Sequence, residues 1–193
     1  MTNTDFDIAL ESRAGLPDAL RVLLEDYPRE AWEADPNFSG LIRFWLDRHL
    51  MFRRLVATMI GETEQRLDGA MEDRLFGAHL SRYGSMLVGE LHGHHSIEDT
   101  HFFPIMKPLD QRVSTGFDIL DRDHHEIHDS LSAFADTGNA ALRAIAEGDP
   151  ATDAVAAFLK DLRRVERFLD RHLVDEEELV VPVLLKYTPA GLV

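Results

Sequence analysis

The side chains of this chain that could carry chemistry are histidines and glutamates spaced by one helical turn. His94 and Glu98 stand four residues apart, and His101 follows one turn later. Residues four apart lie on the same face of a helix, about 6 Å apart along its axis. That face also carries the apolar residues Leu87, Leu91 and Ile105. Imidazole and carboxylate groups are costly to bury on an apolar face unless something binds them, so the pattern predicts one wall of a metal site.

Other segments carry the same types of ligand. His124 and His128 stand four residues apart on a partly apolar face and form a chelating pair. His172 is followed by Glu176 after four residues. His49 lies among apolar residues at helical spacing, and taken alone it would be interpreted as a hydrogen-bonded core histidine. The histidines and glutamates of the other segments make His49 a candidate ligand as well.

An internal repeat supports this interpretation. The pattern of His, three residues, Glu, five residues and Pro occurs at residues 94–104 and again 78 positions later, at residues 172–182. A duplicated helix pair with approximate twofold symmetry would place two His/Glu strips opposite each other, as a dinuclear site with bridging carboxylates requires. The competing interpretation is a chance register of common helix-forming residues with surface glutamates. The combined set of strips favours the metal site.

The composition limits the class of protein. The 193 residues are 45% hydrophobic and 28% charged, which is typical of one globular domain. A net charge of −15 argues against a nucleic acid or an anionic membrane as partner. Cysteine is absent, which excludes thiolate ligands and disulfides. Residues 1–7 show no targeting pattern and no long apolar run follows, so we expect a soluble, cytoplasmic protein.

Glycine and proline divide the chain into helical segments. The pattern predicts a short amphipathic helix over residues 16–27 and four long helices over residues 41–67, 71–106, 113–147 and 151–186. Four long helices with short connections predict an all-α fold, an up-down-up-down antiparallel four-helix bundle with a short extra N-terminal helix. In this interpretation residues 1–40 pack on the bundle of residues 41–193, within one domain overall.

These motifs make the chain similar to a known family. It resembles the hemerythrin-like, HHE cation-binding proteins, four-helix bundles whose active members hold two non-heme irons with five histidines and two bridging carboxylates. The resemblance covers almost the whole chain and rests on residues 44–49, 94–99 with 103–104, 123–128, and 172–177 with Pro182.

The resemblance implies a ligand set. One iron would be bound by His49 and His94, the other by His124, His128 and His172, with Glu98 and Glu176 as bridges. The irons would change between the Fe²⁺ and Fe³⁺ states and could share an oxo or hydroxo bridge. Imidazole and carboxylate ligands without thiolates also suit manganese or zinc.

Three alternatives stay open within this set. The doubled histidine allows His95 with Asp99 in place of His94, although the match with His172 favours His94. His101 lies on the same stripe and could be an additional ligand. The classical oxygen carrier spaces its carboxylate five residues from the histidine, which would select Glu177, whereas the internal repeat selects Glu176. In the acidic run at 175–178, Asp175 and Glu178 are predicted to be solvated.

The resemblance says more about which cofactor the protein holds than about what the protein does with it. Our first hypothesis is a di-iron protein that binds dioxygen or a related small oxidant. The alternatives are an iron- or oxygen-sensing or iron-binding module that acts through a partner, and a di-iron enzyme that reacts with peroxide or nitric oxide. A bundle whose histidines are merely hydrogen-bonded core residues is the hypothesis without a metal. The sequence does not indicate an oligomeric state.

Overall fold

The computed structural model describes residues 8–189, 191 and 192, and in this range helices are the only regular elements. The α-helices are α1 Val22–Asp26, α2 Gly40–Leu67, α3 Asp73–Ile97, α4 Phe103–Met106, α5 Ser114–Glu147 and α6 Thr152–Tyr187. A π-helical turn, Glu98–Phe102, connects α3 to α4, and short 3₁₀ turns cover Asp18–Leu20, Arg29–Ala34 and Lys107–Leu109. The predicted all-α fold is confirmed. Residues 1–7 of the predicted N-terminal segment lie outside the described range.

The bounds of the long helices follow from local chemistry. Gly69 and Gly148 have φ angles of 73° and 74° at the ends of α2 and α5. Glycine adopts this left-handed conformation without steric cost, which lets the chain leave the helix. After Gly148, the amide of Asp149 donates to the carbonyl of Ala144 at 3.0 Å, the bond of a Schellman cap. Each predicted terminus of the four long helices lies within two residues of the observed one, when α3, the π-helical turn and α4 together are taken as the predicted second helix.

The predicted helix over residues 16–27 is wrong as a single element. The chain forms a 3₁₀ turn, Asp18–Leu20, and then the short helix α1, with Arg21 between them at φ −106° and ψ 17°. A helix of this length is marginal by itself, so tertiary contacts decide its conformation. The Arg21 side chain lies in two ion pairs, with Asp18 at 2.6 Å and with Glu178 on α6 at 3.2 Å.

The described chain divides into two compact units. The first takes the chain up to His49, His95–His125 and the residues from Asp170 onward. The second takes Leu50–His94 and Glu126–Leu169. Each of the four long helical segments contributes residues to both units, and the two units alternate along the chain. Among the described helices, none combines the length and the apolar character needed to cross a membrane. The division into residues 1–40 and 41–193 stays a prediction.

The first unit has an apolar core that includes part of the N-terminal segment. Its buried members include Leu16, Leu23, Trp32, Ile42, Trp45, Phe103, Met106, Phe117, Leu120, Val180 and Leu184. The second unit has its own buried residues, among them Phe52, Phe76 and Leu162, and the rings of Phe134 and Phe158 lie 5.2 Å apart. These cores hold the helices that carry the candidate ligands.

Close packing in the first unit gives a testable prediction at Gly116. A Cβ atom there would lie 2.8 Å and 2.9 Å from the two Cδ atoms of Leu179, which is itself buried. We expect Gly116→Ala to lower the free energy of unfolding by about 1–3 kcal/mol because the leucine must move within a filled core. Gly61→Ala is the matched control, since nothing lies within 4 Å of its Cβ position. It should gain about 0.5–1 kcal/mol from helix propensity. Urea denaturation measures both, and a stabilised Gly116→Ala would contradict the packing argument.

Candidate metal centre

The first unit gathers buried histidines and glutamates into two groups. His95, His124 and His172 each offer a ring nitrogen, and these atoms lie within 4.8 Å of one another. His49, Glu98 and Glu176 each offer a ligand atom at the same mutual spacing. All six residues are buried. Buried polar groups at this density are costly unless they bind one another or a cation.

The two glutamates connect these groups. Glu176 Oε2 lies 3.5 Å from His49 Nε2 and 3.4 Å from His172 Nε2, so it faces one histidine of each group. Glu98 Oε2 lies 3.5 Å from His124 Nε2. Carboxylates that face two sets of imidazole nitrogens are placed as bridging ligands are placed in dinuclear metal sites.

A second layer of carboxylates holds the other nitrogen of three rings. The Nδ1 atoms pair with carboxylate oxygens as follows: His49 with Glu177 at 3.0 Å, His124 with Asp99 at 2.8 Å, and His172 with Asp123 at 3.4 Å. In the neutral form of a ring, a carboxylate that accepts the Nδ1 proton fixes the tautomer and the ring orientation, and leaves Nε2 with its lone pair. Each of the three rings therefore presents Nε2 toward the glutamates.

The residues fit a bound metal ion. Within the described part of the chain, the buried Nε2 atoms of His124 and His172 have no hydrogen-bond partner. A buried ring nitrogen without a hydrogen-bond partner costs free energy, and coordination to a metal ion would recover it. Neutral imidazoles combined with carboxylates are the ligands that iron, manganese and zinc accept.

The electrostatics of the site also favour a cation. Burial raises the pKa of Glu98 well above its usual range, and the neighbouring carboxylate of Glu176 raises it further. Burial lowers the pKa of His49 and of His172, but their carboxylate partners outweigh it: the pKa of His49 is raised, and that of His172 rises to about 9. For His124, burial is the largest effect and lowers the pKa, although the hydrogen bond with Asp99 acts in the opposite direction. Two buried carboxylates close together need positive charge, which protons or metal ions can supply.

The raised pKa of His172 predicts how the metal-free protein responds to pH. Because its folded pKa is about 9 against an ordinary value of 6.5, its stabilising contribution is fully present below pH 6.5. That contribution is lost as the pH rises through 9, and the pKa difference corresponds to about 3 kcal/mol. Urea denaturation of chelator-treated protein at pH 6.5 and 9.5 measures the loss. His172→Asn removes this titration, so an unchanged pH dependence in that variant would contradict the assignment.

Residues around the groups hold the glutamates and rings in place. Trp45, one helical turn before His49 on α2, donates its indole N–H to Glu176 Oε1. The ring of Phe103 stacks on that of His124, with centroids 5.6 Å apart and planes 22° apart. Glu98 is the first residue of the π-helical turn. A π turn inserts one extra residue into a helix and is frequent at functional sites.

The candidates from the fourth long helix lie in different places. Glu176 belongs to the group of ligand atoms. Glu177 is also buried, but its Oε1 pairs with His49 Nδ1 and its Oε2 accepts from Arg29 at 2.7 Å. Both Glu177 oxygens are thus engaged away from the His49 Nε2 side. Asp175, predicted to be solvated, is instead completely buried; that prediction is wrong, because Arg13 and Arg171 neutralise its carboxylate.

The histidine candidates of the second and third long helices are distributed over both units. His95, an alternative in the sequence, lies in the first unit with its ring stacked on His124 at 4.0 Å. His94 is the last residue of a segment of the second unit, where its ring lies 5.2 Å from that of Phe52. His128 also belongs to the second unit, with its ring 5.5 Å from that of His92. His101 is exposed, in the π-helical turn.

Several residues of the site gave no usable signal in the sequence. Asp99 is an alternative ligand in the sequence, and in the structure its carboxylate pairs with the ring of His124. No pattern in the sequence assigns a role to Asp123 or Arg13. Arg13 pairs with Asp123, 110 residues away along the chain, and no local pattern connects them. Trp45 could have been suspected from its spacing of one turn before His49, although an indole on an apolar stripe is ordinarily core.

Comparison with known protein families gives a match that covers most of the chain. The model of the Hemerythrin HHE cation binding domain matches residues 40–189. No curated protein and no solved structure matches the chain. The matched range contains all the histidines and glutamates described above.

Proposed function

Because the chain belongs to the hemerythrin HHE cation-binding family, we propose that it holds two iron ions and binds dioxygen or a related small oxidant. The observation that carries this proposal is the pair of buried glutamates, Glu98 and Glu176, which face the Nε2 atoms of histidines from both groups. A single cation would not use both groups. Two cations would neutralise both carboxylates.

The proposed ligands are those that the first unit brings together. His95, His124 and His172 would hold one ion, and His49 the other, with Glu98 and Glu176 shared. His94 and His128, which the family resemblance implies as ligands, stay predictions. His95 is the residue that the resemblance alone did not select. Imidazole and carboxylate ligands leave manganese or zinc as alternative occupants.

The surrounding residues would prepare the site for an oxidant. When bound, an iron pair supplies electrons by changing between the ferrous and ferric states. Asp99, Asp123 and Glu177 keep the Nδ1 protons in place, so that the Nε2 lone pairs stay available. Trp45 holds one oxygen of Glu176 and so limits its rotation. Phe103 covers the face of His124 and excludes water from it.

Metal analysis and anaerobic reconstitution test the proposal. Protein reconstituted with ferrous iron under anaerobic conditions should take up two ions per chain, and admission of air should produce a charge-transfer band in the near ultraviolet. Retention of no stoichiometric metal would overturn the proposal. Iron that is bound only in the presence of oxygen and is released when oxygen is removed would support the sensing module instead. Sustained turnover of peroxide or nitric oxide would support the enzyme.

A further inference from the structure

Two arginines of the N-terminal segment, residues 8–39, reach the carboxylates that hold the ligand histidines. We propose that Arg13 and Arg29 are positioning residues for the metal centre, each acting through one carboxylate on one histidine. This inference rests on the proposed metal centre. Both arginines lie outside residues 40–189, the range that the family model matches.

The first connection runs from Arg13 to His172. Arg13 Nη1 donates to Asp123 Oδ1 at 2.7 Å, and its Nη2 pairs with Asp123 Oδ2. Its Nε donates to Asp175 Oδ2 at 2.8 Å. Asp123 Oδ2 lies 3.4 Å from His172 Nδ1. The Arg13 side chain is 2% exposed, and its guanidinium contacts both oxygens of Asp123. This bidentate contact prevents the carboxylate from rotating away from the histidine.

The second connection runs from Arg29 to His49. Arg29 Nη1 donates to Glu177 Oε2 at 2.7 Å, while Glu177 Oε1 pairs with His49 Nδ1 at 3.0 Å. The guanidinium also lies over the ring of Trp32, 4.7 Å from its centroid, which restrains it from the other side. Arg29 is 46% exposed, whereas Glu177 is buried. One end of this connection therefore reaches solvent and the other reaches a candidate ligand.

The two connections repeat one arrangement in different parts of the segment. In each, an arginine holds a buried carboxylate. An oxygen of that carboxylate also pairs with the Nδ1 atom of a proposed ligand histidine. Carboxylates of this kind are worth about 10- to 100-fold in metal affinity, because they orient the ring and raise its basicity. An arginine that holds the carboxylate should carry a share of that effect.

A purely structural role, docking the segment to α6, is the competing explanation. Arg21 provides the matched control for it. Arg21 also belongs to the segment and pairs with a carboxylate of α6, Glu178, at 3.2 Å, and it is 33% exposed. Glu178 is the residue after Glu177, but it pairs with Arg21 and not with a histidine. Removing Arg21 therefore weakens docking without touching a ligand ring.

Cobalt binding to the full chain separates these explanations. Metal-free wild type, Arg29→Gln and Arg21→Gln would be titrated with Co²⁺ while the visible ligand-field absorption is recorded. We expect Arg29→Gln to bind cobalt about tenfold more weakly, with a shifted absorption band. Arg21→Gln should keep the wild-type band and an affinity within about twofold. Equal affinities and spectra for the two variants would overturn the proposal.

Two further measurements make the outcome unambiguous. Glu177→Gln alone should weaken cobalt binding, and adding Arg29→Gln to it should change little, because the arginine acts through that carboxylate. Additive effects would contradict the connection. Arg13→Gln, if it folds, should reproduce the weaker binding. If the wild type takes up no cobalt, the proposed metal centre itself is overturned. If the wild type binds cobalt but the Arg29 and Arg21 variants are indistinguishable, only the proposed role of the arginines is overturned.

Discussion

Replacing Glu176 with glutamine is expected to lower the metal affinity of the protein by at least about 100-fold and to reduce its metal content below two ions per chain. Glu176 Oε2 lies within 3.5 Å of an Nε2 atom in each group, from His49 and from His172. Loss of an outer carboxylate costs about 10- to 100-fold in metal affinity, so loss of a shared direct ligand should cost at least as much. A neutral amide also leaves one cationic charge uncompensated.

The substitution keeps the shape of the site. Glutamine can still accept the indole N–H of Trp45 at its remaining oxygen, so we expect the metal-free variant to fold. Glu178→Gln is the control, because this neighbouring glutamate pairs with Arg21 at the edge of the site. Metal content by atomic absorption and affinity by competition with a chromogenic chelator measure the effect. Wild-type affinity in Glu176→Gln would show that the shared carboxylate is not a ligand.

Removing the metal is expected to lower the melting temperature by about 8–16 °C. A ligand that binds only the folded state, at a free concentration 1,000 times its dissociation constant, stabilises it by about 4 kcal/mol. For a chain of this size each kcal/mol corresponds to about 2–4 °C. The metal-free protein must also keep the carboxylates of Glu98 and Glu176 close together in its interior.

Differential scanning calorimetry with and without chelator measures this shift. Glu176→Gln should show little further decrease when chelator is added, since it starts with little metal. An unchanged melting temperature of wild-type protein in chelator would instead support a bundle whose histidines are only hydrogen-bonded core residues.

The long helices could be predicted closely because their boundaries depend on local chemistry. Gly69 and Gly148 end α2 and α5 through a backbone conformation that glycine favours, and this is visible in the sequence. The N-terminal helix could not be predicted in the same way. Its apolar residues pack into the core of the first unit, and Arg21 is held by Glu178, 157 residues away. Contacts at that distance decide the conformation of a short segment.

The candidate site was predictable in its types of residue and less so in their roles. Spacing of four identified His/Glu strips, but it could not distinguish a proposed ligand from a carboxylate that pairs with a histidine ring, as Asp99 and Glu177 do. It also could not show that Asp175 is buried, because this depends on Arg13 from the other end of the chain. The doubled histidine remained ambiguous because consecutive residues differ by only about 100° around a helix.

The π-helical turn holds one residue more between Glu98 and Phe102 than an α-helical turn would. Deleting exposed Thr100 would convert it into an α-helical turn and leave the later side chains of α4 close to their present orientation, because the turn already absorbs one extra residue. Phe103 and Met106 would stay buried and Pro104 exposed. The fold should therefore tolerate a single-codon deletion here better than one inside a regular long helix, where every later side chain would rotate by about 100°.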